Sequence, residues 1–151
     1  MEVTRDLEVP ERQIVTMRTF NHPVDSLWRA WSDPQVIPLW WGPDGFTSTI
    51  DRFELHGGGA WVLTMHGPDG TDHPNDIVFD EVAEERLIRY RHLSEPQFTV
   101  TVEFAAEDPA STTVRFIQLF GSKEQRDAVA VYAEAANEQF MARLGAVLDA
   151  Q

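Results

Sequence analysis

Apolar residues recur along the chain in two rhythms, and each rhythm predicts a different kind of element. Between Lys123 and Asp149 they stand at Val129, Tyr132, Ala133, Ala136, Phe140, Leu144, Val147 and Leu148. That i, i+3, i+4, i+7 spacing lines one face of an α-helix. Charged and amide residues such as Asp127, Glu134, Glu138, Gln139 and Arg143 fall mostly off the stripe. At about 1.5 Å per residue the helix would run for roughly 40 Å, longer than most strands of a small sheet. It therefore needs a broad apolar surface to lie on, and the preceding residues must supply it.

Those residues open with Gln13 to Phe20, β-branched and half alternating, which predicts a strand. Asn21-His22-Pro23 breaks it, and Pro23 suits the first turn of a helix. In that helix Val24, Leu27, Trp28 and Trp31 share one face. Asp33-Pro34 ends it and opens a second short helix, expected over Gln35 to Trp41.

The period then changes to two. Strands are expected at Phe46 to Leu55, Ala60 to His66, Asp76 to Val82, Leu87 to His92, Phe98 to Phe104 and Thr112 to Phe120, separated by turn residues that include Gly57-Gly58-Gly59 and Gly67-Pro68-Asp69-Gly70. Short turns between successive strands imply an antiparallel sheet. The expected architecture is α+β: a curved antiparallel sheet of about seven strands wrapped around a long C-terminal helix, with two short helices between the first two strands. Such a grip can leave a cavity between helix and sheet.

Composition adds limits. A chain of 151 residues fits one domain with a substantial core, here expected over 1–151 with residues 1–11 as a loose lead-in. The absence of cysteine excludes a disulfide framework, a thiolate metal site and a cysteine nucleophile. A net charge of −13 argues against a nucleic acid or an anionic membrane surface as partner. The N-terminus lacks the pattern of a signal peptide, and no apolar run approaches the roughly 20 residues of a membrane span, so a cytoplasmic protein is expected.

Specific segments carry a resemblance. They are Arg18-Thr19-Phe20-Asn21-His22-Pro23, Leu27-Trp28-Arg29-Ala30-Trp31-Ser32-Asp33-Pro34, Trp40-Trp41-Gly42-Pro43-Asp44-Gly45-Phe46, Gly58-Gly59-Ala60-Trp61 and Met65-His66-Gly67-Pro68-Asp69-Gly70. Together they resemble proteins related to the C-terminal domain of the activator of Hsp90 ATPase, within the START-like or Bet v 1-like (SRPBCC) helix-grip superfamily. The likeness spans about Arg12 to Leu148. It implies a helix-grip fold and a cavity for a hydrophobic ligand, and it is compatible with a homodimer. This chain departs from the family at His56, where relatives often have Arg two residues before paired glycines, and near Ala136-Asn137, where many carry Gly-Trp facing the sheet.

The expected cavity is lined by Trp40, Trp41, Phe46, Trp61, Met65, Phe79, Tyr132 and Phe140, since large aromatics supply apolar surface and Tyr and Trp keep one polar handle. The competing reading makes them simply core. His66, His92, Gln118 and Tyr132 are the candidates to orient a ligand through polar contacts. The five histidines are scattered and form no H-x-x-x-H or H-E-x-x-H motif, so no metal site is expected. Asp76, Glu81 and Glu103 would serve acid–base chemistry only if they pointed inward. No nucleophile elbow, phosphate loop or dinucleotide fingerprint is present, which leaves no cofactor expected. The leading expectation is a binder of a small hydrophobic or aromatic ligand. The alternatives are an enzyme like the polyketide cyclases or aromatases, and an interaction module like the Hsp90 co-chaperone domain.

Overall fold

Alternation along residues 13–20 turns Ile14, Thr16 and Phe20 inward and Val15 and Met17 outward, giving strand β1 (Gln13–Phe20). The computed structural model describes residues 10–151. After β1 come helix α1 (Val24–Ser32), strands β2 (Thr47–Phe53), β3 (Ala60–His66), β4 (Asp72–Ala83), β5 (Leu87–His92), β6 (Phe98–Asp108) and β7 (Ser111–Leu119), and helix α2 (Lys123–Ala150). The strands form one curved sheet in the order β1-β7-β6-β5-β4-β3-β2, and every neighbouring pair is antiparallel. This is the helix-grip arrangement expected from the sequence. Because β1 and β2 are the two edges, the segment between them must cross one end of the sheet. It does so through α1, with Trp28 edge-on to Phe104 of β6 at 5.4 Å.

Several boundaries differ from expectation, each for a local reason. The second short helix, expected over Gln35 to Trp41, is a single 3₁₀ turn at Ile37–Leu39. Pro38 at its centre has no N–H to give, and the run ends four residues later at Gly42, whose φ of +95° no helix accommodates. The fourth strand starts at Asp72 rather than Asp76, so it contains Pro74. Pro74 pairs with Thr64 of β3, while β5 joins β4 only from Ile77 onward, so the prolyl nitrogen need not serve a ladder. The second strand is shorter than expected, and β6 runs on to Asp108 to meet Ser111 across a tight turn. The lead-in expected over residues 1–11 lies outside the described residues as far as residue 9. From Pro10 a 3₁₀ turn forms, and the Arg126 side chain of α2 donates to the Glu11 carbonyl at 3.1 Å.

The N-terminus of α2 is capped by Ser122, whose hydroxyl accepts from the Gln125 backbone N–H at 3.1 Å. Its buried stripe is Val129, Ala133, Asn137, Phe140, Met141, Leu144 and Leu148. This is a correction to the expected stripe at one point: Tyr132 is 58% exposed, because it stands one residue, or about 100°, around the helix from Ala133. The core divides in two. The larger part joins α1, the sheet and Phe140, Met141, Leu144 and Leu148. The smaller joins Ile14, Phe120, Val129 and Ala133.

The glycine run before β3 is a stereochemical necessity at one position. A Cβ on Gly59 would stand 1.9 Å from the Glu54 carbonyl oxygen, which lies across the turn linking β2 to β3. Gly59→Ala is therefore expected to cost at least about 2 kcal/mol in urea unfolding, through forced displacement of that turn. A variant within experimental error of the parent would show that the turn relaxes freely.

Candidate functional site

The sheet register builds the site in rows. Ile77, His92 and Phe98 are successive cross-strand neighbours on β4, β5 and β6; the next row inward is Phe79, Tyr90, Val100 and Gln118. Across from these rows lies α2, whose residues at the same level are Ala133, Ala136 and Asn137 rather than aromatics. The short side chains leave a space of about 150 Å³ walled by Trp41, Met65, Ile77, Phe98, Phe116 and Phe140. It adjoins a wider vestibule of about 430 Å³, which shares Met65, Asn75, His92, Phe98, Gln118 and Asn137 and reaches Asp72, Glu95 and Tyr132.

Polar groups in the cavity are few. Asn137 Nδ2 donates to Gln118 Oε1 at 2.8 Å, and both residues are buried. Tyr90 also lines the space, and burial pushes its hydroxyl well above the ordinary tyrosine pKa of 10.0, so it stays neutral. His92 stands where cavity and vestibule meet, its ring stacked on Phe98 at 4.6 Å. Its Nδ1 lies 2.9 Å from the Ser94 carbonyl and 3.0 Å from that of Pro96, so this nitrogen carries a proton and donates. Nε2, the lone-pair nitrogen of the neutral ring, faces the side-chain amide of Asn75. Burial pulls the His92 pKa below 6.5, against the opposing influence of the two carbonyls and Asp76.

Of the residues singled out from sequence, Trp41, Met65, His92, Gln118 and Phe140 stand around the cavity. Tyr132 borders only the vestibule. Trp40, Trp61 and Phe79 are core instead. Trp40 is fully buried and spends its indole N–H on the Ala30 carbonyl at 3.1 Å. Trp61 and Phe79 stack on each other with ring planes 5° apart, deeper along the sheet. Phe46 packs outside, its ring 6.0 Å from that of His73. His66 is held between Thr49 at 2.8 Å and Asp72 at 2.7 Å, away from the cavity.

The acidic strand residues also turn outward. Glu81 pairs with Arg89 and Glu103 with Arg115, each at 2.7 Å, and Asp76 is exposed. Tyr90, Phe98 and Phe116 were not among the expected lining, although their alternation with outward residues marks them as inward facing. Asn75 carries no such signal, since an amide in a strand is ordinarily solvated.

The loop that delivers Trp41 is fixed from α2. Arg143 Nη1 donates to the carbonyls of Gly42 and Pro43, both at 2.9 Å, and Nη2 to that of Phe46 at 3.1 Å. One helical turn earlier, Gln139 Oε1 accepts from the Asp44 backbone N–H at 3.0 Å. Trp41 then lies 5.3 Å from Phe140 and 5.1 Å from Trp61, closing one side of the cavity.

Comparison with known proteins agrees with this architecture. The family model described as "Activator of Hsp90 ATPase homolog 1-like protein" matches residues 21–149. Among solved structures, a protein from Arthrobacter aurescens is 23% identical with a TM-score of 0.86, covering 95% of this chain and 89% of that one. One from Nitrosomonas europaea is 19% identical with a TM-score of 0.84, covering 93% and 96%. A protein from Aeromonas hydrophila described as AHSA1-like is 20% identical with a TM-score of 0.74, covering 89% and 92%. At these identities the likeness shows the fold. No curated protein sequence matches significantly. No helix among the described residues is long and apolar enough to cross a membrane.

The position of His92 sets a pH dependence. With its folded pKa held below 6.5, the unfolded chain takes up the proton first as pH falls. Above about pH 6.5 the group adds no slope; below it stability is lost, until the ring in the folded protein also protonates. His92→Gln removes this component, so its urea midpoint should fall less than the parent's between about pH 7 and pH 5. Parallel midpoints would show that the ring is effectively solvated.

Proposed function

The chain belongs to the activator of Hsp90 ATPase homolog 1-like family, and from that footing we propose that it binds a small, largely apolar ligand between α2 and the sheet. The observation that carries this reading is the aromatic-walled space under Ala136, which shares part of its wall with a wider vestibule through which a ligand would enter. A space of this size suits a single ring or a short branched chain. Burying roughly 200 Å² of apolar ligand surface is worth about 5 kcal/mol before the costs of association. His92 and Gln118 would orient the ligand, and Tyr132 would border its path.

A second reading has one observation in its favour. His92 is a titratable group on the wall of an apolar space, so it could exchange a proton with a ligand held against the aromatics. That reading expects His92→Gln to keep binding and lose turnover; a variant with full turnover would sink it.

Native mass spectrometry of the protein as purified, followed by denaturing extraction, tests for a resident ligand and identifies its chemical class. Ala136→Trp places an indole in the cavity. It is expected to weaken binding of the single-ring probe toluene, followed by calorimetry, by at least about tenfold, equivalent to about 1.4 kcal/mol, with the protein still folded by circular dichroism. Unchanged affinity in a folded variant would place the binding site elsewhere.

A further inference from the structure

An apolar ligand would leave two groups in the cavity unanswered. Gln118 and Asn137 are each 6% exposed, and a single hydrogen bond joins them. Each amide has a second polar end. Among the described residues, neither Gln118 Nε2 nor Asn137 Oδ1 has a protein partner, yet neither atom is sealed from the cavity. Turning both amides over exchanges which residue donates, but one NH₂ and one C=O remain presented. The Tyr90 hydroxyl, on the same cross-strand row two strands away, likewise lacks a protein partner among the described residues.

The charges nearby are as informative. No Asp, Glu, Lys or Arg side chain lines the inner cavity. The vestibule carries Asp72 and Glu95, and the whole chain has a net charge of −13. A carboxylate would have to pass an acidic mouth, lose its hydration and meet as its one titratable partner on the inner wall His92, which burial disfavours in its charged form.

Resting on the binding reading above, we propose that the buried end of the ligand is an uncharged amide, lactam or comparable carbonyl group bearing an N–H, seated on the Gln118–Asn137 pair. Its C=O accepts from the free NH₂ and its N–H donates to the free C=O. A hydrocarbon of the same shape strands both groups, and a carboxylate offers no donor. Aromatic bulk on the ligand then meets Phe98, Phe116 and Phe140.

The test uses three single-ring probes of similar size, benzamide, benzoate and ethylbenzene, titrated into the full chain by calorimetry at neutral pH. Benzamide is expected to bind at least about tenfold more tightly than either of the others, the effect of leaving one or more buried polar groups unpaired. In the double variant Gln118→Leu/Asn137→Leu, which removes both partners together, that preference should reverse toward ethylbenzene. Ethylbenzene or benzoate binding the parent as well as benzamide overturns this inference while leaving the cavity reading intact. Retention of the benzamide preference by the folded double variant also overturns it. Binding of none of the three overturns both.

Discussion

A single cation on the long helix determines whether the site has a wall. The segment from Trp41 to Phe46 belongs to neither sheet nor helix, and its own backbone supplies little beyond the Phe46 N–H to Pro43 carbonyl bond of 3.1 Å. Its carbonyls instead converge on Arg143, whose rigid planar fork carries several donors. Among the described residues no carboxylate competes for that guanidinium, so the backbone dipoles of the loop are its counterpart. Gly42 completes the fit: with φ of +95° it turns the chain, and a Cβ there would press to 2.8 Å from Met65. Helix, loop and β3 thus fix one another, and Trp41 occupies its place as a consequence.

Around that wall, the space exists because bulk is unevenly distributed. Trp31, Trp40, Trp41, Phe116 and Phe140 form a continuous aromatic cluster with ring centroids 4.7–6.3 Å apart. Immediately beyond Phe140 toward the helix N-terminus, the side chains that should continue this packing are Asn137, Ala136 and Ala133. The sheet opposite does not compensate, because its residue there is Gln118, engaged with Asn137. A position occupied by large apolar groups in a packed core is here shared by two amides and unfilled volume.

The fold was legible because the rhythms that predict it depend on backbone geometry alone. Period two from Ala60 to His66 and the long stripe ending in Leu148 follow from which side chains must leave water. The site was less so. Trp40, Trp61 and Phe79 are indistinguishable by type from Trp41 and Phe140, and only the neighbours each meets in three dimensions separate wall from core. Tyr132 was misplaced because adjacent Tyr132 and Ala133 both continue an i+3 or i+4 series, and the sheet selects the smaller. Asn75 and Tyr90 depend on strand parity, which a one-residue uncertainty in register reverses.

The division of the core gives α2 two unlike halves. From Phe140 onward it is embedded through Met141, Leu144 and Leu148 in the main cluster, whereas its earlier turns rest on Ile14, Phe98 and Phe120 through the smaller side chains of Val129, Ala130 and Ala133. The helix is a beam clamped at one end and lightly seated at the other, with the amide pair at the fulcrum. The light end therefore contributes less buried apolar surface than the clamped one, where Phe140, Met141, Leu144 and Leu148 follow in close succession. Dense packing at one end and sparse packing at the other are both contained in one uninterrupted secondary element.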